Sequence, residues 1–328
     1  MNIFKKLSLL ILLLFLLFLS VSCSNLQRAD EQEPVKIAIN QWPGYAYTFV
    51  AQEKGFFEKN GVKVELIFDK EYSLSQEKYK NGEVDGIFEV FSDTIFHNSE
   101  GIKTQAVYIF DYSDSGDVII GKSSFNSLAD LKGKKIGVDG INSFSHLFVL
   151  ADLKKAGLKE SEIQIENIPA QDVLTALEQG RIDAGHTWEP IKSEALARGY
   201  KQLGKAGDIP GIITDVLAFN ADFIEKNPEK VQAIVKSLVE AKEFLDANQE
   251  ESIKIMAEKE EMSEEDMASG LQGVHQPDLA ENINAMTAMG YLYSSGELVS
   301  NFYMDRGQMS KKPVLSKIIE PRFLRGIR

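Results

Sequence analysis

From Val35 onward two apolar rhythms alternate along the chain: short runs of near-continuous apolar residues, and longer stretches where they recur at the spacing of one helix face. Val35 to Ile39 is the first short run and predicts a strand. After it come Trp42-Pro43-Gly44-Tyr45, an expected helix from about Thr48 to Asn60 closed by Gly61, and a strand over Val62 to Phe68. Strand, helix, strand is the opening of an α/β fold. Tyr72 to Asn81 predicts a polar helix, Gly82 to Phe88 a third strand, Ser92 to Asn98 a short helix and Lys103 to Phe110 a further strand.

The rhythm breaks at Asp111-Tyr112-Ser113-Asp114-Ser115-Gly116, which is taken as a first crossing between two lobes. Beyond it, Ser127 to Gly133 predicts a helical turn, Lys134 to Val138 a strand, and Gly140 to Ser145 a polar loop entering a helix that ends near Gly157. Ile163 to Ile168 is strand-like, Ala170 to Gln179 helical, and the short strand Arg181 to Gly185 delivers His186-Thr187-Trp188-Glu189-Pro190. Gly-Arg-Ile-Asp-Ala at Gly180 echoes Gly-Glu-Val-Asp-Gly at Gly82, so both lobes are expected to share one β-α pattern. Ile213 to Asn220, an apolar strand carrying Asp215 near its start, is the expected return crossing. Helices follow from Pro228 to Asp246, Glu250 to Glu260, Ser263 to Gly270 and Asn282 to Ser294; the acidic run Glu258 to Asp266 reads as solvated helix surface, and Lys312 to Arg328 as a loose strap.

Loops at strand ends, facing a crevice between similar α/β lobes, are where such a fold offers side chains to a ligand. Trp42 and Tyr45 fit that place, although packing in the core would account for two aromatics equally well. Ser92 or Asp93 could cap its helix and leave N–H groups toward a cleft. Gly140-Ile141-Asn142-Ser143-Phe144-Ser145-His146 joins a strand to a helix N-terminus, which suits a polar or anionic group, with Ser143 or Ser145 serving as a plain N-cap in the alternative. The spacing of a dinucleotide fingerprint is missing.

Composition adds limits. A chain of 328 residues, 44% apolar and 26% charged, suits two globular lobes. Residues 1–22 read as an export signal: Lys5 and Lys6 precede an apolar run from Leu7 to Leu19 that is short for a bilayer span of ~20 residues. The sole cysteine, Cys23, follows Leu19-Ser20-Val21-Ser22 and resembles a lipoprotein acylation site, with Ser20 where leucine is usual; an ordinary cleaved signal is the alternative. Residues 23–34 read as a polar tether. Net charge is −13, becoming −15 once Lys5 and Lys6 leave with the signal, which argues against nucleic acid as a partner.

Catalytic and metal patterns are wanting. His97, His146, His186 and His275 lack metal-ligand spacing, and no nucleophile elbow occurs. An enzymatic reading would rest on His186 with Glu189 or Asp215. Polar loops and aromatics without such a constellation describe a binder that needs no cofactor.

Ala-x-x-Lys-Gly-Phe-Phe-Glu-Lys-x-Gly-Val-x-Val at Ala51 to Val64, Gly-x-Val-Asp at Gly82, Ser127 to Val138, and Gly-Arg-Ile-Asp-Ala with Trp-Glu-Pro up to Pro190 resemble the periplasmic substrate-binding components of ABC importers in the nitrate, taurine, alkanesulfonate and thiamine-pyrimidine precursor group. That resemblance implies a type II periplasmic binding protein fold, with lobe 1 at 35–115 plus 216–328 and lobe 2 at 116–215. It implies a monomeric, lipid-anchored cell-envelope protein that passes a small solute to a permease and its ATPase. Mapped by motif, it implies ligand contacts at Trp42, Tyr45, Ser92, Asp93, Asp114, Ser115, Gly116, Asn142, Ser143, Phe144, Ser145, His186, Trp188, Glu189 and Asp215. Acids beside aromatics, with no arginine in that set, lean toward an aminopyrimidine or another nitrogen-containing solute over an inorganic anion. A ligand sensor on the same fold and a Thi5-like pyrimidine-forming enzyme are the rival readings; the second would need cysteine and histidine chemistry that this chain lacks.

Overall fold

The computed structural model describes residues 33–327; the expected signal, Cys23 and most of the tether lie outside the described residues. Two sheets organise the chain. The first runs in the order β11 (Val274–His275), β4 (Thr104–Ser113), β10 (Thr214–Asn220), β3 (Gly86–Val90), β1 (Val35–Asn40), β2 (Val64–Asp69). The second runs β7 (Gln164–Asn167), β6 (Lys135–Val138), β8 (Ala184–Thr187), β5 (Val118–Gly121), β9 (Lys201–Lys205). In each, parallel strands joined through helices meet an antiparallel strand supplied after a crossing: β10 beside β3, and β5 beside β8. The chain therefore leaves the first sheet after Ser113 and rejoins it at Thr214, giving two α/β lobes of the type II periplasmic binding protein fold.

Central strands read as apolar runs because both faces are covered. Ile87 and Phe88 of β3, Val107 to Phe110 of β4 and Val216 to Phe219 of β10 are all buried. Helix α1 (Tyr47–Glu53) is covered in turn by α9 (Pro228–Ala247), whose Val231, Ile234, Val235, Leu238, Ala241 and Leu245 form one buried stripe at helical spacing. Each of its valine, isoleucine and leucine side chains contributes about 1.5–3 kcal/mol on burial. Pro228 begins α9, where its missing N–H costs nothing.

Two expected helices are broken. The Thr48 to Asn60 stretch forms α1 and then α2 (Phe56–Lys59), because Gly55 adopts a left-handed φ of 68° and turns the chain between them. The Asn282 to Ser294 stretch divides into α12 (Leu279–Ala285), whose start is fixed earlier by an Asp278–Glu281 capping box, and α13 (Tyr291–Asp305). The remaining helices are α3 (Tyr72–Lys80), α4 (Phe91–Ser99), α5 (Phe144–Lys155), α6 (Val173–Glu178), α7 (Ile191–Ala197), α8 (Ala221–Lys226), α10 (Gln249–Lys259) and α11 (Glu264–Gln272). The C-terminal strap is tied down: Ala106 N donates to Ile318 O, Glu320 N to Ala106 O, and Phe323 and Leu324 are buried. Among the described residues no helix is long and apolar enough to cross a membrane.

Candidate functional site

The lobes meet over a small cavity lined by Asn40, Trp42, Tyr45, Tyr72, Val90, Ile213 and Asp215 from around the first sheet and by Asp117, Phe144 and Trp188 from around the second. It admits the centre of a water molecule over only about 10 Å³. Aromatic rings close it. Trp42 and Trp188 meet edge to face at 6.2 Å, and Tyr72 meets Phe144 at 4.7 Å. Trp188 Nε1 also donates to Gln41 O at 3.0 Å, a direct bond from one lobe to the other.

Each wall residue is held by its own element. Pro43 to Tyr45 form a single 3₁₀ turn after β1, which points Trp42 at the cleft and sends Tyr45 back among Phe88 and Phe110, with its hydroxyl on Asn40 Oδ1. Gly44 is required there: a Cβ would lie 2.0 Å from Asp111 Oδ2 and 2.4 Å from Trp42 Nε1, the two atoms that hydrogen-bond at 3.1 Å. Trp42 N donates to Glu260 Oε1 at 3.2 Å, and Gln41 Nε2 to the Glu260 carbonyl at 2.6 Å. Tyr72 is fixed through its hydroxyl, which donates to Asp93 Oδ2 at 2.6 Å and accepts from Val90 N at 3.2 Å.

On the opposite lobe, His186 lies between Asp117 Oδ1, 2.9 Å from Nε2, and Ser145 Oγ, 2.7 Å from Nδ1. Ser145 Oγ already accepts Asp139 N at 2.8 Å, so its proton goes to Nδ1 and Nε2–H points at Asp117. These are the residue types of a catalytic triad. Ser145, however, is fully buried in the first turn of α5 and off the cavity wall, so the chain of bonds aims Asp117 at the cleft and offers no nucleophile.

The cleft is acidic. Asp215 on β10 stands directly opposite Asp111 on β4 in the strand register, so their side chains rise side by side on one face of the sheet. Asp215 and Asp117 line the cavity at 3% and 2% exposure; Asp111 and Glu260, fully buried, stand behind it. One oxygen of each of the four, Asp111 Oδ1, Asp117 Oδ2, Asp215 Oδ2 and Glu260 Oε2, has no hydrogen-bond donor among the described residues. Burial, with a smaller push from Asp117, raises Asp111 to about 7 against the pull of the Trp42 N–H, and burial with repulsion from Asp111 and Asp117 raises Asp215 well above the usual carboxylate range. Burial likewise pushes Glu260 to about 8 against the pull of Trp42 N–H. No lysine or arginine lines the cavity.

Of the residues expected from sequence, Trp42, Tyr45, Phe144, Trp188 and Asp215 lie on this wall. Asp93, Asn142 and Ser143 line a neighbouring groove of about 250 Å³ that shares Tyr72 with the cavity. Ser92 and Asp93 do not cap their helix, since Val90 occupies the N-cap; Ser92 is buried beside Tyr303. Ser143 does cap α5, accepting Ser145 N. Asp114 turns outward to Lys205, Ser115 O takes Lys192 Nζ, and Gly116 N binds Gly273 O, with the face a Cβ would occupy pressed on Trp42. Glu189 is buried but engaged by Lys192, Ser193 N and Ser269. His186 and Ser145 act from behind. The acidic run at Glu258 is not uniformly solvated surface: Glu260, at its second turn, is 0% exposed and bonded to Trp42, because α10 ends against the aromatic turn. Asn40, Tyr72, Asp111, Asp117 and Glu260 carried no sequence signal that singled them out.

Two α/β lobes with a cavity walled by both define a solute-binding protein. The chain belongs to the NMT1/THI5 like family, whose model matches residues 42–252. It is 30% identical over 230 residues, 68% of this chain and 70% of the relative, to a Brucella abortus protein described provisionally as a binding protein. It is 28% identical to the taurine-binding periplasmic protein of Escherichia coli, over 60% of this chain and 61% of that one, and 23% identical to the formylaminopyrimidine-binding protein of Halalkalibacterium halodurans, over 78% and 79%. In fold it is similar to the ligand-binding component of an ABC-type import system from Staphylococcus aureus, with a TM-score of 0.75 at 17% identity over 90% of this chain and 99% of that one. The chain is thus an exported, periplasmic-type, non-catalytic binding protein of that family. Among the described residues no cluster of His, Cys, Asp and Glu could hold a metal.

Proposed function

We propose that the protein captures a small nitrogen-containing organic solute between its lobes, of the aminopyrimidine or thiamine-precursor type, and presents it to the import permease. The observation that carries this reading is the set of buried carboxyl oxygens without donors at Asp117 and Asp215, in a cavity with no cationic wall residue. An anion there would meet repulsion and no compensating charge, whereas ring or amino N–H groups supply what the oxygens lack. Trp42, Tyr45, Phe144 and Trp188 provide the flat apolar surfaces that suit a ring. Similarity to a formylaminopyrimidine-binding protein supports the same class; similarity to a taurine-binding protein, at higher identity, shows that family likeness alone does not decide it.

Capture works by closure. A solute touching both Asp215 and Trp188 makes its full contacts only when the lobes meet, so it shifts the population toward that state. A ring exceeds the present cavity, so Trp42 and Trp188 part to admit it and close on its faces. The set Trp42, Tyr45, Phe144, Trp188 and Asp215 is proposed as first contact, with Asp93, Asn142 and Ser143 at the groove. Acylation at Cys23 and a monomeric state belong to the same proposal. Native mass spectrometry of the purified protein, then calorimetry with 4-aminopyrimidines, taurine and nitrate, tests it. Binding of the aminopyrimidines alone is expected; tight taurine or nitrate binding without them overturns the solute class.

A further inference from the structure

Four acidic side chains crowd one cleft, and their surroundings do not balance them. The groups around the Asp111–Asp215 pair are Trp42 and Tyr45 from the turn after β1, Tyr47 from α1, Val90 from β3, Asp93 from α4, Tyr112 from β4 and Asp117 from the crossing, with Glu260 behind Trp42 at the end of α10. None of these is cationic. His186 is committed to Asp117, Lys192 to Glu189 and Ser115 O, and Lys205 to the outward-facing Asp114. Two carboxylates directly opposite each other on adjacent strands, both removed from water, repel strongly when both are charged; one proton between them turns that repulsion into a hydrogen bond.

We propose that Asp111 and Asp215 share one proton before a solute enters and surrender it when a cationic nitrogen group arrives, so that solute capture exchanges one cation for one proton. The inference rests on the nitrogenous solute class proposed above. In balance, a protonated amine enters, the shared proton leaves to solvent, and the O–H···O bond of the pair is replaced by N–H···O bonds to Asp215 and Asp117, whose unpartnered oxygens flank the cavity. The small cavity suits an ammonium head, and the indole faces of Trp42 and Trp188 suit its charge. Acidification then favours release: where one proton is exchanged, affinity for a cation falls about tenfold per unit of pH.

The test begins with the protein alone. Carbon-13 spectra of aspartate-labelled protein, with Asp111 and Asp215 assigned through Asp111→Asn and Asp215→Asn, are expected to show one proton held by the pair at pH 7; if either variant fails to fold, Asp111→Glu and Asp215→Glu, which remove the same two resonances and keep the charge, assign them instead. Calorimetry with n-propylammonium as probe, at pH 7 in buffers of different ionisation enthalpy, is expected to show release of about one proton. Two ionised carboxylates between pH 6 and 8 overturn the exchange and leave the solute class intact if aminopyrimidines still bind. Ammonium binding without proton release also overturns it. A protein that binds an amine-free alkanesulfonate such as ethanesulfonate and no nitrogenous solute overturns both readings together.

Discussion

Trp188 spans the cleft from the end of β8, giving its indole N–H to the Gln41 carbonyl at 3.0 Å while its ring stands edge-on to Trp42 at 6.2 Å. Gln41 in turn holds the backbone of Glu260. One side chain of the second lobe therefore reads the position of the aromatic turn and, through it, of α10. Polar contacts farther out, Gln171 Nε2 to Lys70 O at 2.5 Å and Arg306 to Glu160 at 2.8 Å, add register to the meeting of the lobes at exposed positions worth little individually.

Replacing Trp188 by Phe keeps a ring in the cleft and removes the bond to Gln41. The loss expected is that of one buried hydrogen bond, about 1 kcal/mol or some fivefold in solute affinity, because it is made only with the lobes together. Small-angle scattering should also report a larger mean radius before solute is added. Unchanged affinity and radius would mean that the bond does not contribute to closure.

Gly44→Ala tests the other side of the same contact. Its Cβ would sit 2.0 Å from Asp111 Oδ2 and 2.4 Å from Trp42 Nε1, so the bond between them must break or the turn must move. Overpacking of this kind costs about 1–3 kcal/mol. Denaturant titration should register that loss, with solute binding weakened more than tenfold; a variant of native stability and affinity would show that the turn yields freely.

His186 joins Asp117 to Ser145 in a site sealed from water. In His186→Phe the ring still packs on Phe144 and Phe148, but Asp117 loses its one side-chain donor and Ser145 its second partner. A destabilisation of about 2–3 kcal/mol is expected from the orphaned carboxylate, read in urea midpoints. If the variant is as stable as the parent, the Asp117–His186–Ser145 chain is not what fixes the wall.

How far this could be read from sequence depended on whether a residue's role is local. Trp42 and Trp188 stand directly after strands and Phe144 at the helix start that follows one, and strand, loop, helix order alone delivers such positions to the cleft. Asp111 and Asp117 bracket the polar crossing, where nothing in the spacing tells which acid turns inward and which, like Asp114, turns to solvent and Lys205. The direction of Asp111 follows from the pairing of β4 with β10, a strand some hundred residues away, and Asp117 is held by His186 from the second sheet. Glu260 is the extreme case. It lies among Glu258, Lys259 and Glu261 in what periodicity marks as surface, and its burial comes from docking the end of α10 on a turn 218 residues earlier. Tyr45 is legible as an aromatic near the cleft, but its packing on Phe88 and Phe110 gives it both of the roles that sequence left open.

Glu260 also gives stability a pH dependence of definite sign. Its folded-state value, raised from 4.5 to about 8, means that the native protein holds this proton more tightly than the unfolded chain. The stabilising contribution is complete below about pH 4.5 and is lost as pH rises toward 8, where the native state must either carry a buried charge or keep a proton that the unfolded chain has given up. Glu260→Gln retains an oxygen for Trp42 N–H and removes the titration. Asp93, near 7, and Asp139, near 6, contribute slopes of the same sign in both proteins and cancel in the comparison. Urea midpoints at pH 5, 6.5 and 8 should therefore show the variant gaining on the parent by at least about 1–2 kcal/mol across the range, since each tenfold difference in proton affinity corresponds to about 1.4 kcal/mol. Parallel curves would place Glu260 in contact with water and remove it from the acids that charge the cleft.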